Sequence, residues 1–365
     1  MRIAIVGAGW SGAVIAQELA QAGHSIDVFE RRAHVGGNAH TERDPETGVM
    51  VHKFGPHIFH TNNKRTWDYV RQFGEFVPYI QRTKAIVGSQ MYQLPINLLT
   101  INQFFGRTFG PAQAEEFMRL EGESSITNPK SFEEQALRFV GREMYEAFFK
   151  GYTTKQWGLS PRDIPATILK RLPIRFTYDD NYFDHQFQGI PRDGYTAVIA
   201  RLLNNPNIHV HLNALFFRTL VTHYGHVFYS GPLDEWYSHK LGRLPYRTLD
   251  FKVRRGIGDA QGAPIINYCD EEVPYTRITE HKHFAPWEAH EKTITFEEHS
   301  RASEPYDEPF YPIHLVSEQD MLIKYTELAR QETNVTFVGR LGTYRYIDMD
   351  VAVSEALTVS GKFNT

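Results

Sequence analysis

The sequence predicts an α/β protein: a discontinuous Rossmann-like domain with a helical insertion domain and an antiparallel β-sheet domain. Three observations carry this reading. The first 30 residues read strand, glycine turn, helix, strand, acid. Residues 95–150 have mostly helical composition, with a capping-box pattern at Ser131 to Glu134. From about residue 240 to 300 the chain alternates and is rich in Thr, Ile, Tyr and Phe, as half-buried strands are. At 365 residues the chain has room for two or three domains and a large core.

Residues 2–6, Arg-Ile-Ala-Ile-Val, form an apolar, β-branched run of the kind found in a buried parallel strand. Gly7-Ala-Gly9-Trp-Ser11-Gly12 follows directly, then a helix-forming stretch that stops at Gly23. A second strand, Ser25 to Glu30, closes the unit. A lone GxGxxG is weak, but with these neighbours it is a dinucleotide fingerprint. Gly7 permits the tight turn, Gly9 lets backbone approach a pyrophosphate, and Gly12 lets helix pack closely on strand. The helix N-terminus presents free N–H groups to phosphate, and Glu30 is placed to accept from a ribose hydroxyl. A glycine turn without a ligand leaves Glu30 unexplained.

After Glu30 the chain runs through Arg31 and Arg32 to Gly36-Gly37-Asn38. This second Gly-Gly resembles the extension of the glutathione-reductase and amine-oxidase families of FAD proteins, and it lets more backbone lie against a cofactor. FAD is therefore preferred to NAD. Residues 335–339 look like a returning strand that ends in Gly339. Arg340, Tyr344, Arg345, Tyr346 and Asp348 crowd before a final helical stretch beginning at Met349. That return would complete the FAD domain and point a positive helix end at the isoalloxazine.

Composition narrows the function. A formal charge of -4, with no Lys/Arg block, argues against broad attraction to nucleic acid, so an anionic ligand must be held by a few placed arginines. Cys269 is the single cysteine, which excludes internal disulfides and CxxC zinc sites. No signal-peptide pattern and no stretch of about 20 apolar residues is present, so a soluble cytoplasmic protein is expected. His281 and His283 alternate on an expected strand, but no third ligand is signalled, and no metal is expected.

Residues 152–160, "YTTKQWGLS", fit neither a helical nor a strand period. A Trp in such a polar segment is either a pin holding a loop or a platform for a flat ligand. Phe148 and Phe149 just before it read as ordinary core on their own.

Six longer motifs carry a resemblance over essentially the whole chain: "FGPHIFHTN", "GYTTKQWG", "LKRLPIRFTYDDNYF", "IPRDGYTA", "PYTRITEHKHF" and "YRYIDMD". The chain resembles the bacterial UDP-galactopyranose mutase family, flavoenzymes that interconvert UDP-galactopyranose and UDP-galactofuranose. The resemblance implies that Trp157 stacks on uracil, with Tyr152, Thr153, Phe148 and Phe149 around the uridine. It implies that Arg171, on a mobile lid at about residues 160–175, clamps the diphosphate together with Arg277. On the residues alone, Arg277 would be an exposed sheet arginine. Tyr182, Tyr311 and Tyr346 are implied phosphate contacts, and Arg247, Asn267 and Asp348 lie near substrate or flavin. His57 and His60 fall beside the flavin, His60 with a catalytic part; otherwise they would be core histidines. Ser11, Arg31, Asn38, Ile58, Gly339, Arg340 and Met349 complete the implied cofactor set with the glycines and Glu30.

The resemblance also implies a covalent reaction needing reduced FAD, with flavin N5 as nucleophile on the anomeric carbon. UDP leaves, and the sugar recloses as the five-membered ring. The product would feed galactofuranose-containing surface glycans, with NAD(P)H as reductant and a homodimer as assembly. Two alternatives stay open here, an amine-oxidase-like oxidoreductase and a flavin-bound nucleotide-sugar binder. The expected division is residues 1–64, 201–238 and 315–365 for FAD, 95–189 helical, and 65–94, 190–200 and 239–314 for the sheet.

Overall fold

The computed structural model describes residues 1–166, 174–313 and 319–364. The chain opens with β1 (Arg2–Val6), α1 (Trp10–Gln21) and β2 (Ser25–Phe29). There follow β3 (Thr41–Arg43), β4 (Met50–His52), β5 (Phe59–Thr61), α2 (Lys64–Val70), β6 (Phe76–Pro78), β7 (Thr83–Val87) and β8 (Gln90–Leu94). The helical stretch is α3 (Leu98–Phe105), α4 (Pro111–Glu121), α5 (Phe132–Met144) and α6 (Gly151–Trp157). Next come β9 (Phe187–Pro191), α7 (Tyr195–Leu202), β10 (Ile208–His211), β11 (His226–Tyr229) and α8 (Leu233–Trp236). Strands β12 (Tyr246–Ile257), β13 (Ile265–Tyr268), β14 (Arg277–Glu280), β15 (Lys292–Ala302) and β16 (Tyr311–Pro312) precede α9 (Gln319–Gln331), β17 (Val335–Phe337), α10 (Gly339–Gly342) and α11 (Met349–Phe363).

A parallel five-stranded sheet has the order β10-β2-β1-β11-β17. Ile3, Ile5, Ile26 and Val28 are fully buried in it with α1, α7 and α11, while Ala4 and Val227 pack into a second cluster with Trp236 and Tyr325. Covering on both faces is why β1 reads as a continuous apolar run.

A seven-stranded sheet runs β16-β12-β15-β14-β13-β7-β8. It is antiparallel except where β7 joins β13 in parallel, which the sequence pattern had not distinguished. A three-stranded sheet, β5-β9-β6, lies apart from both.

The helical segment departs from expectation in two places. The helical run that follows the capping box is broken at Gly141, whose φ of 71° lies in the left-handed region; a Cβ there would sit 2.5 Å from the Glu121 carbonyl oxygen. Residues Tyr145–Lys150 then form a π-helical turn, a rare geometry that often marks functional sites. The segment "GYTTKQWG", read as irregular, forms α6 and ends on Gly158 in the left-handed conformation. Seven residues are too few to display a period, and tertiary hydrogen bonds fix this helix.

Candidate active site

The glycine fingerprint and the returning C-terminal segment line one cleft. Gly7, Gly9, Ser11, Gly12, Glu30, Arg31, Gly37, Asn38, His57, Gly339, Arg340, Asp348 and Met349 all border it. Helix α1 starts behind Gly9 with no side-chain cap, so its first backbone N–H groups remain for a ligand. Glu30 is buried and accepts from the backbone N–H of Ala8 and Arg32 at 2.9 Å each, which fixes the carboxylate at the end of β2.

The two glycine loops touch. Gly36 donates to the Ala8 carbonyl at 2.9 Å, and a Cβ on Gly37 would come within 3.1 Å of Gly9 Cα. Gly12 could not carry a side chain, since a Cβ would lie 1.9 Å from the Gly7 oxygen. Gly9 is different: its Cβ would meet nothing closer than 3.8 Å. The room left over Gly9, the uncapped helix end and the buried acid suit an extended dinucleotide with its pyrophosphate over α1. These residues fit FAD.

A second cavity is walled by aromatic and aliphatic groups. Phe148, Phe149, Tyr152, Thr153, Trp157, Tyr182, Asn267 and Cys269 line it, with Pro95, Ile96 and Val140. The π-helical turn and α6 together supply the aromatic wall. Among the described residues the buried Asn267 Oδ1 has no hydrogen-bond partner, a polar group this wall leaves unmatched. Burial pushes the Tyr152 and Tyr182 phenols above their ordinary range, against the opposing pull of the Arg277 charge. They stay neutral donors at physiological pH.

Arg277 lines neither cavity, but its charge acts on Tyr152 and Tyr182 of the aromatic cavity and on His57 of the cofactor cleft. Its Nε and Nη2 donate to the two Glu298 oxygens at 3.0 Å each. Burial disfavours its charge, but the Glu298 carboxylate outweighs that and holds it protonated far above neutrality. Its field reaches Tyr152, Tyr182 and Tyr311, and also His57, which burial lowers to about 4. Tyr311 stacks on Tyr346 with centroids 5.4 Å apart, and the Arg340 guanidinium lies 4.9 Å from the Tyr346 ring. The arrangement can take a flat ring at one end, an anion in the middle and a flavin at the other.

Other expected residues lie elsewhere. Arg247 borders neither cavity. It is buried beneath α6, donating to the carbonyls of Gln156 at 3.2 Å and Lys155 at 3.4 Å, and burial lowers it to about 10. Ile58 packs in a cluster with Tyr79, Ile190, Ile265 and Phe284. His60 stacks on Phe183 at 3.8 Å, and its Nδ1 lies 3.2 Å from that of His185. Arg171 lies outside the described residues, as does much of the expected lid. His281 and His283, expected on a strand, sit in a 3-10 turn after β14. There His283, Glu280 and Asp259 bring three possible ligand atoms within 4.8 Å of one another. Lys282 already pairs with Asp259 at 2.5 Å, and Glu280 accepts from Thr293 and two backbone N–H groups. Sequence reasoning missed Glu298 and Lys155. A buried-strand glutamate opposite Arg277 was a usable signal once the β14–β15 pairing is known.

The fold and cleft define an FAD-binding flavoprotein of the Rossmann type. Residues 5–73 match a family model for an NAD(P)-binding Rossmann-like domain, and residues 147–346 match that of UDP-galactopyranose mutase. A Klebsiella pneumoniae relative, named a probable UDP-galactopyranose mutase, is 55% identical over 99% of this chain and 94% of its own length. An Escherichia coli relative, named a dTDP-fucopyranose mutase, is 50% identical over 98% of this chain and 96% of its own. A crystal structure of reduced UDP-galactopyranose mutase shares the fold, with a TM-score of 0.74 at 14% identity over 99% of this chain and 93% of that one. The chain belongs to the UDP-galactopyranose mutase family, and it is an enzyme of the isomerase class. No described helix is long and apolar enough to cross a membrane.

Proposed function

We propose that this enzyme interconverts UDP-galactopyranose and UDP-galactofuranose, with uridine in the aromatic cavity, the diphosphate at Arg277 and the sugar facing the flavin. The observation that carries the reading is that Arg277, oriented by Glu298, bears on Tyr152 and Tyr182 of the aromatic cavity and on His57 of the cofactor cleft. Reduced FAD would supply the nucleophile, at N5, toward the anomeric carbon. Trp157 gives the base a stacking face, with Tyr152 lining the site. Arg277, its side edge taken by Glu298, keeps Nη1 and the second Nη2 hydrogen for the departing diphosphate, with the hydroxyls of Tyr182, Tyr311 and Tyr346 as further donors. Arg171 would meet the same diphosphate from the lid. His57 donates from Nδ1 to the Gly55 carbonyl at 2.7 Å, so its Nε2 is an acceptor in the neutral ring, and His60 would pack near the flavin.

The family resemblance supports the rest of the reading: reduction by NAD(P)H, a cytoplasmic homodimer, the domain division given above, and supply of galactofuranose to surface glycans. The Escherichia coli relative favours a second substrate, dTDP-fucopyranose. Dithionite-reduced enzyme is incubated with UDP-galactofuranose or with dTDP-fucopyranose, and products are separated by HPLC. Formation of UDP-galactopyranose, faster than any turnover of the dTDP-sugar, is expected. Turnover confined to the dTDP-sugar would replace the substrate assignment, and turnover of neither would remove the reading.

A further inference from the structure

The Lys155 ammonium donates to three backbone carbonyls: Tyr268 at 2.8 Å, Asp270 at 2.7 Å and Tyr275 at 3.1 Å. Tyr268 ends β13, and Asp270 and Tyr275 lie near the two ends of its connection to β14. β13 carries Asn267 and β14 begins with Arg277, so one side chain ties the helix of the aromatic wall to the turn joining the two strands. The rest of α6 is fitted to the same support. A Cβ on Gly151 would lie 2.4 Å from the Cys269 carbonyl oxygen, and one on Gly158 would lie 2.4 Å from Arg247 Nη1. Ser300 donates to the Gln156 carbonyl at 2.6 Å alongside Arg247. Arg247 thus holds the helix end through the Gln156 and Lys155 carbonyls and Ser300 Oγ, while Lys155 of the same helix holds the strand connection.

We infer that Lys155 is a positioning residue for nucleotide recognition: it locks Tyr152, Thr153 and Trp157 in register with Asn267 and Arg277, so that base wall and phosphate group act as one preformed unit. A nucleoside diphosphate then binds without first ordering the wall against the strands. Lys155 reaches the ligand only through these groups. This inference rests on the uridine-diphosphate reading of the cavity.

The test measures UDP binding by calorimetry to flavin-loaded wild type, Lys155→Met and Lys155→Ala, the last with and without propylammonium. Hydrogen bonds to a charged group are at stake, so UDP affinity is expected to fall by about ten-fold or more in both variants. The KM for UDP-galactofuranose should rise in parallel, with kcat of the reduced enzyme changed less. Propylammonium should restore much of the affinity of Lys155→Ala, by returning a cation to the three carbonyls. Wild-type affinity in Lys155→Met overturns the inference. So does a loss of flavin and of cooperative unfolding that the amine does not relieve, since a merely structural lysine would behave that way. Failure of wild type itself to bind UDP would instead sink the substrate reading.

Discussion

Arg277 and Glu298 face each other across the β14–β15 pairing, and two parallel hydrogen bonds of 3.0 Å join guanidinium to carboxylate. Glu298 is 1% exposed and also accepts from Thr276 Oγ1 at 3.1 Å, so the pair is held from beneath as well as from the side. Such a pair contributes a fixed direction more than net charge, because Glu298 cancels much of what Arg277 brings. Removing one partner leaves the other buried alone, which typically costs about 3–5 kcal/mol. A simple Arg277→Ala result would therefore mix catalysis with stability.

The cleaner prediction uses a cycle. Glu298→Gln should keep the shape yet loosen Arg277, lowering turnover by about ten-fold, and Arg277→Ala should lower it by about 10²–10³-fold. The double variant should recover stability relative to Arg277→Ala without recovering turnover. Denaturant unfolding and dithionite-reduced turnover on all four proteins give the coupling. Additive stability effects would show that the pair is not acting as a unit.

Trp157→Ala should weaken UDP binding by about one to two decades, the worth of roughly 1–3 kcal/mol for a lost stacking face. The flavin spectrum should be unchanged, since Trp157 lines the aromatic cavity and not the cofactor cleft. Calorimetry decides it, and an unaltered UDP affinity would make Trp157 a packing residue of α6.

These two cases mark what was legible in the sequence. The fingerprint was, because Gly7, Gly9, Gly12 and Glu30 act within one local unit whose geometry is set by backbone. On the residues alone, apart from the motif resemblance, the aromatic wall was legible only as composition, since α6 owes its shape to Lys155 and Arg247, whose hydrogen bonds reach about 90 or more residues away. Glu298 went unseen because its meaning comes from strand register, and a Glu in an alternating strand looks solvent-facing until the pairing places it opposite Arg277. Arg247 matched a motif position near the substrate, yet its guanidinium serves the helix end beneath the site.

Acid should destabilise the protein earlier than carboxylate titration alone would. His57 is lowered to about 4 and His281 to about 3, chiefly by burial, and His52 is lowered well below its usual value. The unfolded chain takes up these protons near pH 6.5 while the folded one does not, so stability falls as pH drops from about 6.5 toward 4, by about 1.4 kcal/mol per pH unit for each group. The ring of His281 accepts from the His52 backbone N–H at 3.2 Å. His281→Asn should keep an acceptor there and flatten the slope by one proton. Denaturant unfolding between pH 7 and 5 measures it; parallel slopes in variant and wild type would show that His281 is not one of the groups responsible.

The glycine cradle separates the needs of the fold from those of the cofactor. Gly12→Ala must disrupt the turn, since its Cβ would fall 1.9 Å from a backbone oxygen. Gly9 has a φ of −82°, which any residue adopts, and its Cβ would make only an ordinary contact at 3.8 Å with Gly37. The protein itself therefore gives no reason for glycine at position 9. The reason must be a ligand whose pyrophosphate lies against that backbone at the start of α1. Gly9→Ala should accordingly fold with near wild-type apoprotein stability while binding FAD at least about ten-fold more weakly, because a methyl group would stand where the phosphate approaches. Gly12→Ala should lose both. Flavin fluorescence titration of the apoproteins, with thermal unfolding in the absence of FAD, reads the two effects independently. If Gly9→Ala binds FAD as wild type does, the pyrophosphate does not cross Gly9, and the cofactor lies along the cleft in another way.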